Sequence, residues 1–224
     1  MIRFVTTADG SKTLFHPQVG EHYHSRHGAL QESRHVFLSM GLERWCALQP
    51  EQQSVSVLEV GFGTGLNFLL TADHCCKHNI SLHYTGVEAY PLPEETIVQT
   101  DYGQYVNPGV WEAFLSHYKK SQDSPQPVSD KCILEISVTD IMGFEPVRSF
   151  DIVYFDAFAA VHQPHMWTPQ TLEHVTHFLR PGGIFVTYAI TGQLKRTLKA
   201  LGFATEKVPG APGKREMLRA VKAN

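Results

Sequence analysis

The chain has 224 residues and a formal net charge of −3 at neutral pH. That length supports one well-buried domain and excludes two large ones. No run of about 18 apolar residues occurs, which excludes a membrane-spanning helix.

Residues 1–50 read as an N-terminal extension without strong period, and 51–224 as the main domain. Within the extension, Gly28 to Leu38 predicts a helix with Leu30, Arg34, Phe37 and Leu38 near one face. Strand and helix signals then alternate. Val55–Val60 predicts a strand, and Leu66 to about Lys77 a helix. His83–Glu88 predicts a strand, followed by a helix after Pro91 or Pro93 and another over Trp111–Lys120. Ser121–Pro127 reads as a polar loop, and Cys132–Val138 as an alternating strand. Asp151–Phe155 is a short apolar strand, Thr168–Leu179 a helix, Arg180–Gly183 a turn and Ile184–Ala189 a strand. Leu194–Leu201 predicts a helix. Phe203–Val208 and Met217–Val221 flank Pro209–Gly213 as a closing hairpin. Alternation of this kind predicts a mainly parallel α/β sheet with helices on both faces.

The chemistry begins at Glu59-Val60-Gly61-Phe62-Gly63-Thr64-Gly65-Leu66-Asn67. Three alternating glycines after an apolar strand bring backbone close to a ligand at a helix start. The spacing is E-x-G-x-G-x-G rather than the dinucleotide G-x-G-x-x-G. An acid beside the turn repels a pyrophosphate and suits a cationic cofactor without phosphate, such as S-adenosylmethionine. Glu59 is expected to orient that cofactor's amino acid end, directly or through water. Glu88, at the next strand end, is placed for its ribose hydroxyls. Asp140 follows the third strand, as either an adenine contact or a helix N-cap. Asp156 ends the fourth strand, where ligands bind in open α/β sheets. A carboxylate there can orient an amine and take its proton. Trp167 reads as either a base-packing aromatic or core.

Two further features set partners. From Arg180 to Asn224 there are nine Lys/Arg and two acidic residues, against ten and twenty in the first 179. Lys195, Arg196, Lys214 and Arg215 are candidate contacts to a polyanion, the alternative being a solvated face paired to the acidic half. His22, His24, His27 and His35 lack metal-ligand spacing, so no metal is expected. Cys46, Cys75, Cys76 and Cys132 form no CxxC pair, and the first ten residues carry no apolar signal core. The expected compartment is a reducing cytoplasm.

The chain resembles the methyltransferase domain of MnmC and its stand-alone form. The matching stretches are Gly28–Leu38, Gly61–Leu69, Asp156–Ala159, Pro164–Thr168, Arg180–Gly183 and Lys214–Leu218. The resemblance implies a class I S-adenosylmethionine-dependent methyltransferase with a Rossmann-like seven-stranded sheet whose last strand is antiparallel, and the extension over 1–50 is expected to pack near its active site. It implies methyl transfer to the aminomethyl nitrogen of 5-aminomethyl-(2-thio)uridine at the wobble position of tRNA. It places Asp156 beside the transferred methyl. Glu59, Gly61, Phe62, Gly63, Thr64, Gly65, Asn67, Glu88, Asp140 and Phe158 then form the expected cofactor set. The expected partner is the tRNA anticodon region, with a separate flavin-dependent oxidoreductase or another uridine-modifying enzyme upstream and no membrane. The usual Asp-Gly-Phe-Ala-Pro segment reads Asp156-Ala157-Phe158-Ala159-Ala160 here, which alters the loop over the substrate. The rival readings are a methyltransferase or aminopropyltransferase for a free small amine, a non-catalytic RNA-binding module, and a nicotinamide dehydrogenase.

Overall fold

The computed structural model describes residues 2–223. Strands β1 (Arg3–Thr6), β2 (Lys12–His16) and β3 (Glu21–His22) form a small antiparallel sheet. Its β1–β2 turn is wired by Asp9, whose Oδ1 accepts from Thr7 Oγ1 at 2.7 Å and from Ser11 N at 3.0 Å. This sheet was not expected. Its strands are short and polar, and its order comes from side-chain-to-backbone bonds rather than apolar alternation.

Helix α1 (Ala29–Ser33) runs through a π-helical stretch, Arg34–Glu43, into α2 (Arg44–Leu48). The expected helix is present, but its buried face carries Ala29, Glu32, Ser33, Val36 and Phe37, and Arg34 is exposed. The wider π turn shifts the phase of the face. Gly41 meets the main sheet closely: a Cβ there would lie 2.9 Å from the Tyr154 ring.

The main sheet contains β4 (Ser54–Val60), β5 (Ser81–Val87), β6 (Gln126–Ser129), β7 (Cys132–Ser137), β8 (Phe150–Phe155), β9 (Leu179–Thr187), β10 (Phe203–Pro209) and β11 (Glu216–Lys222). Their order is β10-β11-β9-β8-β4-β5-β7-β6. Strands β4, β5, β7, β8 and β9 pair in parallel, and β11 runs antiparallel to both β9 and β10. All seven expected strands are there, with the last antiparallel. An eighth, β6, adds an antiparallel edge where a polar loop was expected. Pro127 is tolerated in it because an edge strand leaves one row of backbone groups unpaired. Arg180–Gly183 lies inside β9, not in a turn. There the pairing with β8 shifts register, and Arg180 Nη1 bonds Asp151 Oδ1 at 2.6 Å.

Helices α3 (Leu66–Lys77), α4 (Glu94–Val98), α5 (Pro108–His117), α6 (Pro169–His177) and α7 (Gly192–Ala200) connect the strands. Helix α5 starts earlier than its apolar period suggests, because Asn107 caps it and Pro108 fits its first turn. Two apolar layers cover the sheet. One gathers Phe37, Phe68, Tyr84, Phe114 and Tyr154, the other Phe150, Phe155, Leu172, Phe185 and Leu198. Central β4 is buried on both faces from Val55 onward, so its carboxyl end is rigidly held.

Candidate active site

The carboxyl ends of β4, β5, β7 and β8 open into a cavity of about 750 Å³, a size typical of small-molecule sites. The turn after β4 forms its floor. Gly61 (φ 86°) and Gly63 (φ 51°) adopt left-handed backbone. A Cβ on Gly61 would stand 2.6 Å from the Asp156 carbonyl oxygen, and one on Gly63 would stand 3.0 Å from the Tyr23 ring. The turn is therefore a cradle that side chains would fill. Gly61 N and Phe62 N both donate to Val87 O, at 3.0 and 3.2 Å, which ties the turn to the end of β5.

Of the expected cofactor residues, Gly61, Phe62, Gly63, Thr64, Glu88, Asp140 and Phe158 line the cavity, and so does Asp156. Glu88 accepts from Gly63 N at 3.0 Å through one oxygen and from Tyr90 N at 3.0 Å through the other. Asp140 caps the short turn Ile141–Gly143, accepting from Met142 N at 2.9 Å, and still borders the cavity. Both roles open to it in the sequence are thus compatible. Trp167 is half-buried. It packs on Phe155 and donates to Phe158 O at 2.7 Å, so it shapes the loop rather than lining the cavity.

Gly65, Glu59 and Asn67 lie outside the lining. Gly65 begins α3 and packs against Phe62 and Phe114. Glu59 has no exposed surface. Its oxygens accept from Tyr84 OH at 2.8 Å and Asn67 Nδ2 at 2.7 Å. Burial, then the neighbouring Asp156, holds the Glu59 carboxyl well above the usual range. Both Glu59 oxygens are thus engaged beneath the turn, and neither borders the cavity. Strand alternation explains the difference: Glu59 points to the α3 side, beneath the turn.

Asp156 is half-buried, its open side toward the cavity, and its Oδ2 accepts from Asn67 Nδ2 at 2.8 Å. Burial, then Glu32, pushes its pKa up to about 8, with Glu21 adding to the rise. The Asn67 bond and Lys214 oppose it.

The extension supplies the opposite wall through Glu21, Tyr23, His24 and Glu32, none of which was among the expected site residues. His24 Nε2 lies 2.9 Å from Thr64 Oγ1, and burial lowers the His24 pKa to about 4. Glu21 Oε2 accepts from Ala159 N at 2.8 Å. Tyr23 packs edge-on against Phe158 with centroids 5.2 Å apart. Glu32, buried on α1, accepts from Ser25 N at 2.8 Å and Lys214 Nζ at 2.9 Å. Lys214 also sits over the Tyr188 ring, 3.8 Å from its centroid. The only advance signal for Glu32 was its place within the Gly28–Leu38 stretch.

The basic C-terminal segment divides in two. Arg180, Lys207, Lys214 and Arg219 pair with acids, and Lys222 Nζ donates to the Thr176 and Leu179 carbonyls. Lys195 is half-buried, whereas Arg196 and Arg215 are exposed, and none of the three lines the cavity. Among the described residues, no cluster of three or more His, Cys, Asp or Glu could hold a metal ion.

A cradle without side chains, an acidic lining and a cavity of this size fit a cofactor that is cationic and lacks phosphate. The sequence pattern of a family described as S-adenosyl-L-methionine-dependent methyltransferases matches residues 106–223. The tRNA 5-methylaminomethyl-2-thiouridine biosynthesis bifunctional protein MnmC of Idiomarina loihiensis is 32% identical over 212 residues. The match covers 88% of this chain and 34% of that protein. The protein of the same name from Magnetococcus marinus is 32% identical over 98% of this chain and 34% of its own length. The chain thus spans about a third of these relatives. The crystal structure of MNMC2 from Aquifex aeolicus superposes with a TM-score of 0.78 at 25% identity, over 100% of this chain and 72% of that one. Streptomyces venezuelae DesVI shares the fold at a TM-score of 0.51 and 14% identity, over 87% and 92% of the two chains.

Proposed function

Since the chain belongs to the S-adenosyl-L-methionine-dependent methyltransferase family, we propose that it methylates the aminomethyl nitrogen of 5-aminomethyl-(2-thio)uridine at the wobble position of tRNA. The observation that carries this reading is Asp156, set at the end of β8 with one oxygen held and the other open to an acid-lined cavity. The function that the MnmC relatives are named for supplies the substrate class.

The cofactor, when bound, supplies an activated methyl group on a sulfonium. Gly61 and Gly63 let the backbone approach it, and Glu88 and Asp140 would hold its polar groups. The residues of this chain then have two tasks. Asp156 as carboxylate accepts a hydrogen bond from the substrate ammonium and takes one proton. The freed lone pair can then attack the methyl carbon in line. The product leaves as a secondary ammonium, and the carboxyl returns its proton to solvent. Tyr23 and Phe158 offer aromatic faces on which the uracil ring can pack.

Lys195, Arg196 and Arg215 are the proposed contacts to the tRNA backbone near the anticodon. The substrate's primary amine must come from another activity, such as a flavin-dependent oxidoreductase or another uridine-modifying enzyme. The cytoplasm is the proposed compartment, and no helix among the described residues is long and apolar enough to cross a membrane. The extension over 1–50 is proposed as a cap on the domain over 51–224.

The test is transfer of labelled methyl from S-adenosylmethionine to tRNA from cells lacking this activity, followed by nucleoside analysis. The expected product is 5-methylaminomethyl-(2-thio)uridine. The acidic lining also suits a free small amine. Label on a polyamine and none on tRNA would decide for that reading.

A further inference from the structure

Beneath the glycine turn lies a chain of polar side chains, of which Asp156 alone borders the cavity. Asn67, in the first turn of α3, is 2% exposed. Its one carboxamide nitrogen donates both to Glu59 Oε1 at 2.7 Å and to Asp156 Oδ2 at 2.8 Å. Its carboxamide oxygen is buried without a partner. Buried polar atoms are almost always satisfied, so this exception needs a reason. Turning the carboxamide over would aim its oxygen at Asp156 and leave the ionised carboxylate, the form that takes the proton, without a donor. The side chain gives up its acceptor to serve as a double donor.

We propose that Asn67 is a positioning residue for Asp156: it ties down one carboxyl oxygen and leaves the other for the substrate amine, while Glu59 anchors the carboxamide from behind instead of binding cofactor. Glu59 is itself fixed by Tyr84. The order of the chain is therefore Tyr84, Glu59, Asn67, Asp156, running from the core to the cavity. It starts on β5, passes through β4 and α3, and ends on β8. Four elements of the rigid sheet layer thus set the orientation of one carboxylate.

The electrostatics give the arrangement a second consequence. Glu59 and Tyr84 face Asp156 from behind, Glu32 and Glu21 from the extension, and Lys214 and Tyr188 from the β9–β11 side. Among these groups only Lys214 favours the charged carboxylate, and it is shared with Glu32. Among the described residues, the Asn67 N–H is the one neutral donor on Asp156 that favours ionisation. Removing it makes the carboxyl harder to ionise and leaves its rotamer loose.

This inference rests on Asp156 as the group that receives the amine proton. Its test reads the full chain without substrate. The Asp156 carboxyl is titrated by ¹³C NMR, with its signal assigned by loss in Asp156→Asn. The comparison is wild type, Asn67→Leu and Asn67→Ser, each with its S-adenosylmethionine dissociation constant measured by calorimetry. In Asn67→Leu the midpoint should rise by about one pH unit. Cofactor affinity should change by less than about threefold, and methyl transfer at pH 7 should fall about tenfold or more. Asn67→Ser should lie between, and it carries the comparison if the leucine variant does not fold. An unmoved midpoint together with cofactor affinity weakened more than about tenfold would make Asn67 a cofactor contact and overturn the proposal. An unmoved midpoint and unmoved affinity would overturn it as well. A wild-type protein that does not methylate tRNA, yet whose Asp156 midpoint responds to Asn67, would overturn the substrate reading and leave this one standing.

Discussion

The two walls of the cavity are built by different means. The turn wall comes from one contiguous stretch, Glu59 to Asn67, held by strand β4 and helix α3. Its contacts are backbone-to-backbone or lie one strand away, as in Gly61 N and Phe62 N on Val87 O. The cap wall comes from segments far apart in the chain: Glu21 on Ala159, His24 on Thr64, and Glu32 on Lys214, 182 residues away. Each of these bonds uses at least one side chain. The first construction suits a fixed cradle for a small cofactor. The second suits a wall that must accept one nucleotide of a larger partner. If labour divides this way, turn-side changes act on cofactor affinity and cap-side changes on substrate capture. Asp156, where the walls meet, acts on the chemical step.

The largest effect is expected at that meeting point. Asp156→Asn should lower kcat by about 10³-fold, within the range of general-base contributions, with cofactor affinity nearly unchanged. In the wild type, kcat/KM should rise with pH through about 8, as the raised Asp156 carboxyl ionises. Stability moves the other way. The native carboxyl holds its proton up to about 8, whereas the unfolded one loses it near 3.8. The stability contributed by Asp156 is therefore greatest below about 4 and is lost as the pH rises toward 8. Asp156→Asn removes this loss, so its advantage in urea melts should be larger at pH 8.5 than at pH 5. Equal advantages at both would mean that Asp156 is not buried as a costly charge.

A smaller effect is expected from the ion pair of the cap wall. Lys214→Met leaves Glu32 buried without its cation. The pair is partly buried, with side-chain exposures of 34% for Lys214 and 7% for Glu32. The expected loss of stability is about 1–3 kcal/mol, between the surface and fully buried cases. The double variant Glu32→Gln/Lys214→Met should recover much of it, because no orphaned charge remains. Both should raise KM for tRNA more than they raise the cofactor dissociation constant. A change confined to cofactor affinity would erase the distinction between the walls.

The latch at His24 should give a still smaller, pH-dependent effect. Burial lowers its pKa to about 4 from the ordinary 6.5, so the native state resists protonation. The stability tied to neutral His24 is intact above about 6.5 and is lost as the pH falls toward 4. His24→Gln cannot titrate. Its urea midpoint should therefore fall less than the wild type's between pH 6.5 and pH 5. Parallel curves would show that His24 stays neutral for another reason, or does not fasten the wall.

The same contrast explains what could be read from the chain in advance. The turn wall was legible because its information is local: an apolar strand, three alternating glycines, and a helix start. Glu88, Asp140 and Asp156 follow from the rule that strand ends face the ligand, and Phe158 from the family resemblance. Which side of the turn Glu59 and Asn67 face depends on burial by α3 and β5, and spacing alone does not carry that. The extension was expected near the site, but the strands and pairs that build the cap wall were illegible, because the strands lack apolar alternation and the pairs span much of the chain. Arg180–Gly183 has turn composition, yet the Asp151–Arg180 pair accommodates it inside β9. At Lys214 the charge count does not show the pairing with Glu32. Composition records nine basic residues near the C-terminus, and only packing reveals that several are already engaged.

That correction defines the smallest predicted effect. With Lys214 turned inward, the remaining candidates for tRNA phosphates are Lys195, Arg196 and Arg215, which lie outside both walls. The triple alanine variant should raise KM for tRNA about threefold at moderate salt, and leave kcat and cofactor affinity unchanged. Its log–log salt slope should flatten by roughly 0.7–0.9 for each phosphate that the variant no longer neutralises. Exposed cations far from the reacting atoms contribute through counterion release, so the difference should vanish as salt rises. A slope identical to the wild type's would move the RNA track to the cap wall, where Arg26 is the exposed cation bordering the cavity. The cap would then be the principal RNA-binding element rather than an accessory to it, and the division between the walls would be sharper than the geometry alone requires.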